Sequence, residues 1–76
     1  MSHDLPMLTA KEIVTVLEGL GFILRPLTGT SHRRYVHKDG RRTTIPFHAG
    51  QDIGRGLLRK ILKDIELTPE EFKRHL

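Results

Sequence analysis

The stretch from Gly29 to Pro46, GTSHRRYVHKDGRRTTIP, decides the fold of this chain. Two β-compatible runs flank Asp39-Gly40, a dipeptide typical of hairpin turns, so the stretch is predicted to form a β-hairpin. The segment from Arg25 to Arg42 contains six Lys or Arg residues and a single acid. So much positive charge on one hairpin adds nothing to its stability and favours an anionic partner, most simply nucleic acid.

The loop length of the hairpin decides which side chains share a face. A two-residue loop would pair Lys38 with Arg41 and would split the apolar side chains between the two faces. A three-residue loop with Gly40 in the left-handed bulge position pairs His37 with Arg41 instead. Burial favours the three-residue loop, because it gathers the side chains that can pack on helices: Tyr35, Thr43, Ile45 and Phe47. The opposite face then carries His32, Arg34, Arg42, Thr44 and His48.

A helix and a strand are predicted ahead of the hairpin. Thr9 and Glu12 form a capping-box sequence before an apolar stripe of helical spacing, and Gly21 is well placed to end that helix. Residues 22–27 are apolar and β-compatible, and Pro26 favours an edge strand or a strand end.

Helical patterns also follow the hairpin. An amphipathic stripe predicts a second helix over about 55–64. A short last helix is predicted where Pro69 follows the N-cap residue Thr68. The element order is α-β-β-β-α, which predicts a small α+β fold, a three-stranded antiparallel sheet with helices packed on one face.

Length and composition indicate a single small domain. The 76 residues are predicted to form one domain, 1–76, in which residues 1–7 are a loose N-terminal lead-in. The chain has no cysteine, which suits a cytosolic protein. No apolar run approaches the ~20 residues of a membrane span, and no signal-peptide pattern opens the sequence, so a cytoplasmic location is predicted. The formal charge of +4 favours acidic partners.

The histidine and arginines on one hairpin face suit the chemistry of RNA cleavage. Imidazole exchanges a proton near neutral pH, and guanidinium groups hold phosphate oxygens. With His32 as base, the ribose 2′-hydroxyl attacks the neighbouring phosphorus, and cations stabilise the added negative charge. The reaction requires no metal and no cofactor, and none is predicted. The candidate RNA contacts are Arg34, Arg42, Thr44 and His48, together with Arg33 and Lys38.

The other histidines and Ser31 have simpler interpretations. His37 falls at the turn and is predicted to be solvated, whereas His3 and His75 lie near the chain ends and are predicted to be inert. Three interpretations of His48 are open: a proton-transfer partner, an RNA contact or a simple loop residue. Ser31 is interpreted as a turn or capping hydroxyl, because adjacent strand residues point to opposite faces.

Several short motifs occur here in an order and spacing typical of one protein family. They are Gly21-Phe22, Ser31-His32, Tyr35, Asp39-Gly40-Arg41, Ile45-Pro46 with His48, Leu58-Arg59-Lys60-Ile61-Leu62 and Leu67-Thr68-Pro69-Glu70-Glu71-Phe72. In these motifs the chain resembles the HicA mRNA interferases, the toxins of HicA–HicB toxin–antitoxin modules. The resemblance implies a double-stranded-RNA-binding-domain-like fold, RNA endonuclease activity and neutralisation by a HicB-type antitoxin.

The resemblance also implies the catalytic residue. In the family the catalytic histidine follows a glycine-serine pair, and the matching position here is His32. The family usually reads Gly-Ser-His without interruption, whereas Thr30 separates Gly29 from Ser31 in this chain. Gly29 and Ser31 are therefore interpreted as the turn before the catalytic residue.

Two other classes of protein fit the same sequence. One is a non-catalytic RNA-binding module that uses the same basic face, and the other is a structural protein-interaction domain. The role of His32 separates an enzyme from an RNA-binding module, because cleavage needs proton transfer. Salt-dependent RNA affinity separates both from an interaction domain.

Overall fold

The computed structural model describes residues 5–48 and 50–76, which form short helices and strands. In chain order these are β1 (Leu8–Thr9), α1 (Ala10–Gly19), β2 (Ile23–Pro26), β3 (His32–Val36), β4 (Arg42–Pro46), β5 (Asp52–Ile53), α2 (Arg55–Ile65) and α3 (Pro69–Lys73). Strands β2, β3 and β4 form an antiparallel sheet in that order, and β1 pairs with β5. The predicted α+β fold and the edge position of β2 are confirmed.

The hairpin between β3 and β4 has the three-residue loop. The His37 N–H donates to the Arg41 carbonyl at 2.8 Å, and the Gly40 N–H donates to the His37 carbonyl at 2.9 Å. Gly40 has φ +101°, a left-handed conformation that glycine adopts without strain. Along the strands Tyr35 lies opposite Thr43. The predicted register is therefore confirmed.

This register directs one face of the sheet into the core. Tyr35 and Ile45 are buried there and pack with apolar side chains of the helices, which include Ile13, Leu17, Leu58, Ile61 and Phe72. Thr43 is buried with them, and its Oγ1 donates to Asp64 Oδ2 at 2.9 Å. That hydrogen bond satisfies the Thr43 hydroxyl, so its burial carries little cost.

The helix ends follow the predicted capping chemistry. Thr9 and Glu12 form a reciprocal capping box at α1, and Thr68 and Glu71 form another at α3. At α3 the Thr68 N–H donates to Glu71 Oε1 at 2.8 Å, and this hydrogen bond is the main cause that lowers the pKa of the Glu71 carboxyl. Gly21, with φ +100°, lets the chain leave α1 in a Schellman motif.

The predicted loose lead-in is wrong at Leu5. This side chain is fully buried in the core, and its carbonyl accepts a hydrogen bond from Arg55 Nε at 2.9 Å. Farther along, Leu8 pairs with Ile53 in the small β1–β5 sheet, which the sequence analysis did not predict. Residues 1–4, including His3, lie outside the described residues.

The prediction that His37 is solvated is also wrong. Its Nε2 donates to the Leu20 carbonyl at 3.2 Å, its Nδ1 accepts from the Asp39 N–H at 3.1 Å, and its ring meets Phe22 edge-on. A Cβ at Gly21 would lie 3.2 Å from His37 Nε2, so any other residue there would have to displace the imidazole by a few tenths of an ångström. His37 is therefore a structural residue that joins the hairpin to the end of α1.

Arg41 joins the same hairpin tip to the end of α2. Its Nη1 donates to the Ile65 carbonyl at 2.6 Å, and its Nε donates to Asp39 Oδ2 at 2.8 Å. The Arg41 backbone N–H also donates to Asp39, and this is the largest cause that lowers the pKa of the Asp39 carboxyl. Arg41 is therefore engaged within the protein, and its charge is not available to an anionic partner.

Candidate nucleic-acid interface

The face of the three-stranded sheet that turns away from the helices is the candidate site. We call it the open face, and it consists of Ile23, Arg25, His32, Arg34, Val36, Arg42, Thr44 and Pro46. Side chains alternate along a strand, so the register that buries Tyr35 and Ile45 places these residues together on the other side. His32, Arg25, Arg34 and Arg42 are all exposed there.

Among the described residues, no neighbouring acid neutralises the arginines of the open face. Arg25 lies directly opposite Arg34 in the β2–β3 pair, and like charges in that position repel one another. Within residues 5–48 and 50–76, none of Arg25, Arg34 and Arg42 has a carboxylate partner. The surface therefore has the charge arrangement of a phosphate-binding site.

His32 begins β3 at one end of the open face. Gly29, with φ +74°, turns the chain toward it, and the His32 N–H donates to Thr30 Oγ1 at 3.1 Å. The residue between Gly29 and Ser31 thus supplies the hydroxyl that fixes the backbone at the histidine. His32 also lines an open depression of about 350 Å³, together with Leu24, Leu27, Thr30 and Arg33.

Three contacts hold the segment after β4 against the start of β3. The Phe47 N–H donates to the Ser31 carbonyl at 3.1 Å, which extends the β3–β4 pairing by one residue. The Arg33 guanidinium stacks on the Phe47 ring, with its Cζ 3.7 Å from the ring centroid. His48 Nε2 lies 3.5 Å from Oγ of Ser31, the residue immediately before His32.

Six of the predicted site residues fall into three groups. The structure brings His32, Arg34, Arg42 and Thr44 together on the open face, as the register predicted. Arg33 projects from the other face, where it covers Phe47. Lys38 is exposed at the hairpin tip, about 20 Å from His32 at roughly 3.3 Å per strand residue.

One arginine of the open face was missed by sequence analysis. Arg25 lies beside Arg34 because β2 pairs with β3 in the register that also sets Ile23 opposite Val36. The alternation of Ile23, Leu24 and Arg25 was a signal for it, since residues 23 and 25 share a face in any strand. The partner residue on β3 was not predictable without the length of the 27–31 turn.

Two further findings concern metal binding and membrane-spanning helices. Among the described residues, no three His, Asp or Glu side chains come close enough to form a metal-binding group. No helix in this part of the chain has the length and apolar character to span a membrane.

The fold and the site define a class of protein. It is a small domain of helices and an antiparallel sheet, with an exposed basic face that has a histidine at one end. The family model described as HicA toxin of bacterial toxin–antitoxin matches residues 10–67, more than half of the chain. The matched range includes all three strands of the sheet. No curated protein matches the chain. The chain belongs to the HicA toxin family, which confirms the predicted resemblance.

Proposed function

We propose that this HicA-family chain is a metal-independent RNA endonuclease that uses His32 as its catalytic residue. The observation that carries the proposal is the exposed imidazole at the end of a sheet face with three arginines that have no acidic partner among the described residues. An imidazole is suited to proton transfer near neutral pH, and arginines bind phosphate. The site of action is the cytoplasm, where messenger RNA is translated.

The reaction follows from these groups. His32 removes the proton of a ribose 2′-hydroxyl, and the 2′-oxygen attacks the adjacent phosphorus. The bond from phosphorus to the 5′-oxygen breaks, which leaves a 2′,3′-cyclic phosphate on one product and a 5′-hydroxyl on the other. Arg34 and its neighbours stabilise the extra negative charge of the transition state.

Cleavage of RNA in excess chelator tests this proposal. We expect the purified chain to cut RNA at an undiminished rate in EDTA, because proton transfer and phosphate binding come from side chains. DNA of the same sequence should survive, since it lacks the 2′-hydroxyl. Electrophoresis of both substrates with and without EDTA gives the result. Binding without cleavage would instead favour the second candidate, an RNA-binding module that uses the same arginines.

Removal of a single open-face arginine should weaken the salt dependence of RNA binding. Each phosphate contact contributes about −0.7 to the slope of log affinity against log salt for single strands. We expect Arg34→Gln to make the slope shallower by about that amount. Fluorescence anisotropy over a salt series measures it. Lys11→Gln is the control, because Lys11 is exposed on α1, which packs on the opposite face of the sheet. Equal slopes for wild type and Arg34→Gln would mean that RNA binds to a surface other than the open face.

The proposal includes a HicB-type antitoxin that covers the open face. A partner with acidic groups opposite Arg25, Arg34 and Arg42 would satisfy the arginines and bury His32. We expect the product of a neighbouring antitoxin gene to bind the chain and to stop RNA cleavage at equimolar concentration. Calorimetric titration gives the stoichiometry, and a cleavage assay on the same mixture gives the inhibition. A saturated complex that cleaves RNA at the full rate would contradict this arrangement.

A further inference from the structure

We propose that His48 is the general acid of the reaction and protonates the 5′-oxygen as it leaves. This inference rests on the proposed function of His32 and adds the second proton transfer that RNA cleavage needs. An unprotonated alkoxide is a poor leaving group, so an acid placed on the leaving side accelerates the step.

The strand register places His48 near His32. Pro46 lies directly opposite His32, and the hydrogen bond from Phe47 N–H to the Ser31 carbonyl continues the pairing beyond the strand ends. His48 is two residues after Pro46, the diagonal position with respect to His32. The Cα atoms of diagonal neighbours in an antiparallel pair are about 7–8 Å apart. Imidazoles carried by two residues at this backbone spacing can reach the 2′-oxygen and the 5′-oxygen of one phosphodiester.

Local contacts hold the His48 imidazole beside the catalytic turn. Its Nε2 lies 3.5 Å from the hydroxyl of Ser31, the residue before His32. The preceding Phe47 is fixed by the backbone hydrogen bond to Ser31 and by the Arg33 guanidinium on its ring. The His48 imidazole and the backbone at His32 are therefore held within one short stretch of the fold, which reduces the entropic cost of bringing both residues to a substrate.

The two imidazoles balance the protons of the reaction. Neutral His32 takes the 2′-hydroxyl proton as the 2′-oxygen forms its bond to phosphorus. Protonated His48 gives a proton to the 5′-oxygen as the bond from phosphorus to that oxygen breaks. His32 ends protonated and His48 ends neutral, and exchange with water restores both. No other reactant is consumed.

A substrate with a better leaving group tests the role of His48. After the cleavage position in an RNA oligonucleotide has been mapped, the bridging 5′-oxygen there is replaced by sulfur. A thiolate leaves without protonation, so loss of the general acid no longer slows the reaction. In single-turnover assays with saturating protein, we expect His48→Ala to cut the oxygen substrate about 10²–10⁴-fold more slowly than wild type. The sulfur substrate should be cut by both proteins at nearly equal rates.

Two variants serve as controls in the same assay. His75→Ala removes an exposed imidazole at the far end of the chain and should match wild type on both substrates. His32→Ala should be slow on both, because sulfur replaces only the leaving group. Thermal unfolding checks that each variant is folded, and His48→Gln replaces His48→Ala if the latter does not fold.

The outcomes separate this inference from the proposed function. If wild type cleaves neither substrate, the proposed endonuclease fails, and the inference fails with it. If wild type cleaves RNA and His48→Ala is equally fast on the oxygen substrate, only the role of His48 is overturned. A His48 variant that is slow on both substrates would likewise overturn it, because the imidazole would then act in some step other than departure of the 5′-oxygen.

Discussion

His32→Ala should lower the rate of RNA cleavage by about 10²–10⁴-fold, the range that general acid–base participation contributes. The side chain is exposed on the open face, so its truncation creates no cavity in the core. Exposed substitutions usually change the free energy of unfolding by less than about 0.5 kcal/mol. Single-turnover cleavage measures the rate, and thermal unfolding measures the stability.

RNA binding provides the control for this substitution. The arginines of the open face remain in His32→Ala, so the variant should still bind RNA with a salt-dependent affinity. Full cleavage activity in the variant would mean that another group supplies the base. A large loss of stability would mean that His32 contributes to the core, contrary to the strand register.

Ile45→Ala should have the largest effect on stability among open-face and core positions of β4. Ile45 is fully buried between the sheet and the helices, and an Ile-to-Ala change at such a site costs about 2–5 kcal/mol. For a domain of this size, the corresponding fall in melting temperature is roughly 8–40 °C. Chemical denaturation monitored by circular dichroism gives the free energy of unfolding.

The neighbouring residue is the matched control for Ile45. Thr44 is next in the chain but belongs to the open face, and Thr44→Val keeps its shape and β-branching. We expect its free energy of unfolding to stay within about 0.5 kcal/mol of wild type. If Thr44→Val were the destabilising change and Ile45→Ala the neutral one, the sheet would be turned over and His32 would face the helices.

Much of the fold could be predicted because local signals agreed with burial. The hairpin register followed from one choice of loop, and only the loop with Gly40 in the left-handed position gathered the apolar side chains. The first helix followed from the capping box at Thr9 and the last from the N-cap Thr68 with Pro69 after it, and both signals lie close together in the chain. The open face then followed from the same register, since alternation assigns every strand residue to one side.

The parts that escaped prediction depend on contacts between distant residues. Strands β1 and β5 have two residues each, too few to show any periodicity, and they pair across most of the chain. His37 was expected to be solvated because the turn suggested exposure, but the Leu20 carbonyl and the Phe22 ring occupy its surroundings. Neither contact has a sequence signal of its own.

Charge alone also did not distinguish structural arginines from those available to a ligand. Arg41 and Arg42 are adjacent in the chain and have different roles. Arg41 bonds to Asp39 and to the end of α2, whereas Arg42 is exposed on the open face. Alternation separates the two faces, but the partners of Arg41 become visible only once α2 is packed beside the hairpin.

The chemical ends of the RNA products test the endonuclease proposal most directly. RNA incubated with the chain in excess EDTA is analysed by mass spectrometry of the fragments. We expect a 2′,3′-cyclic phosphate, or the monophosphate formed by its hydrolysis, on one side of each cut and a 5′-hydroxyl on the other. Fragments with a 3′-hydroxyl and a 5′-phosphate would contradict the proposal, because water and not the ribose 2′-oxygen would then be the nucleophile.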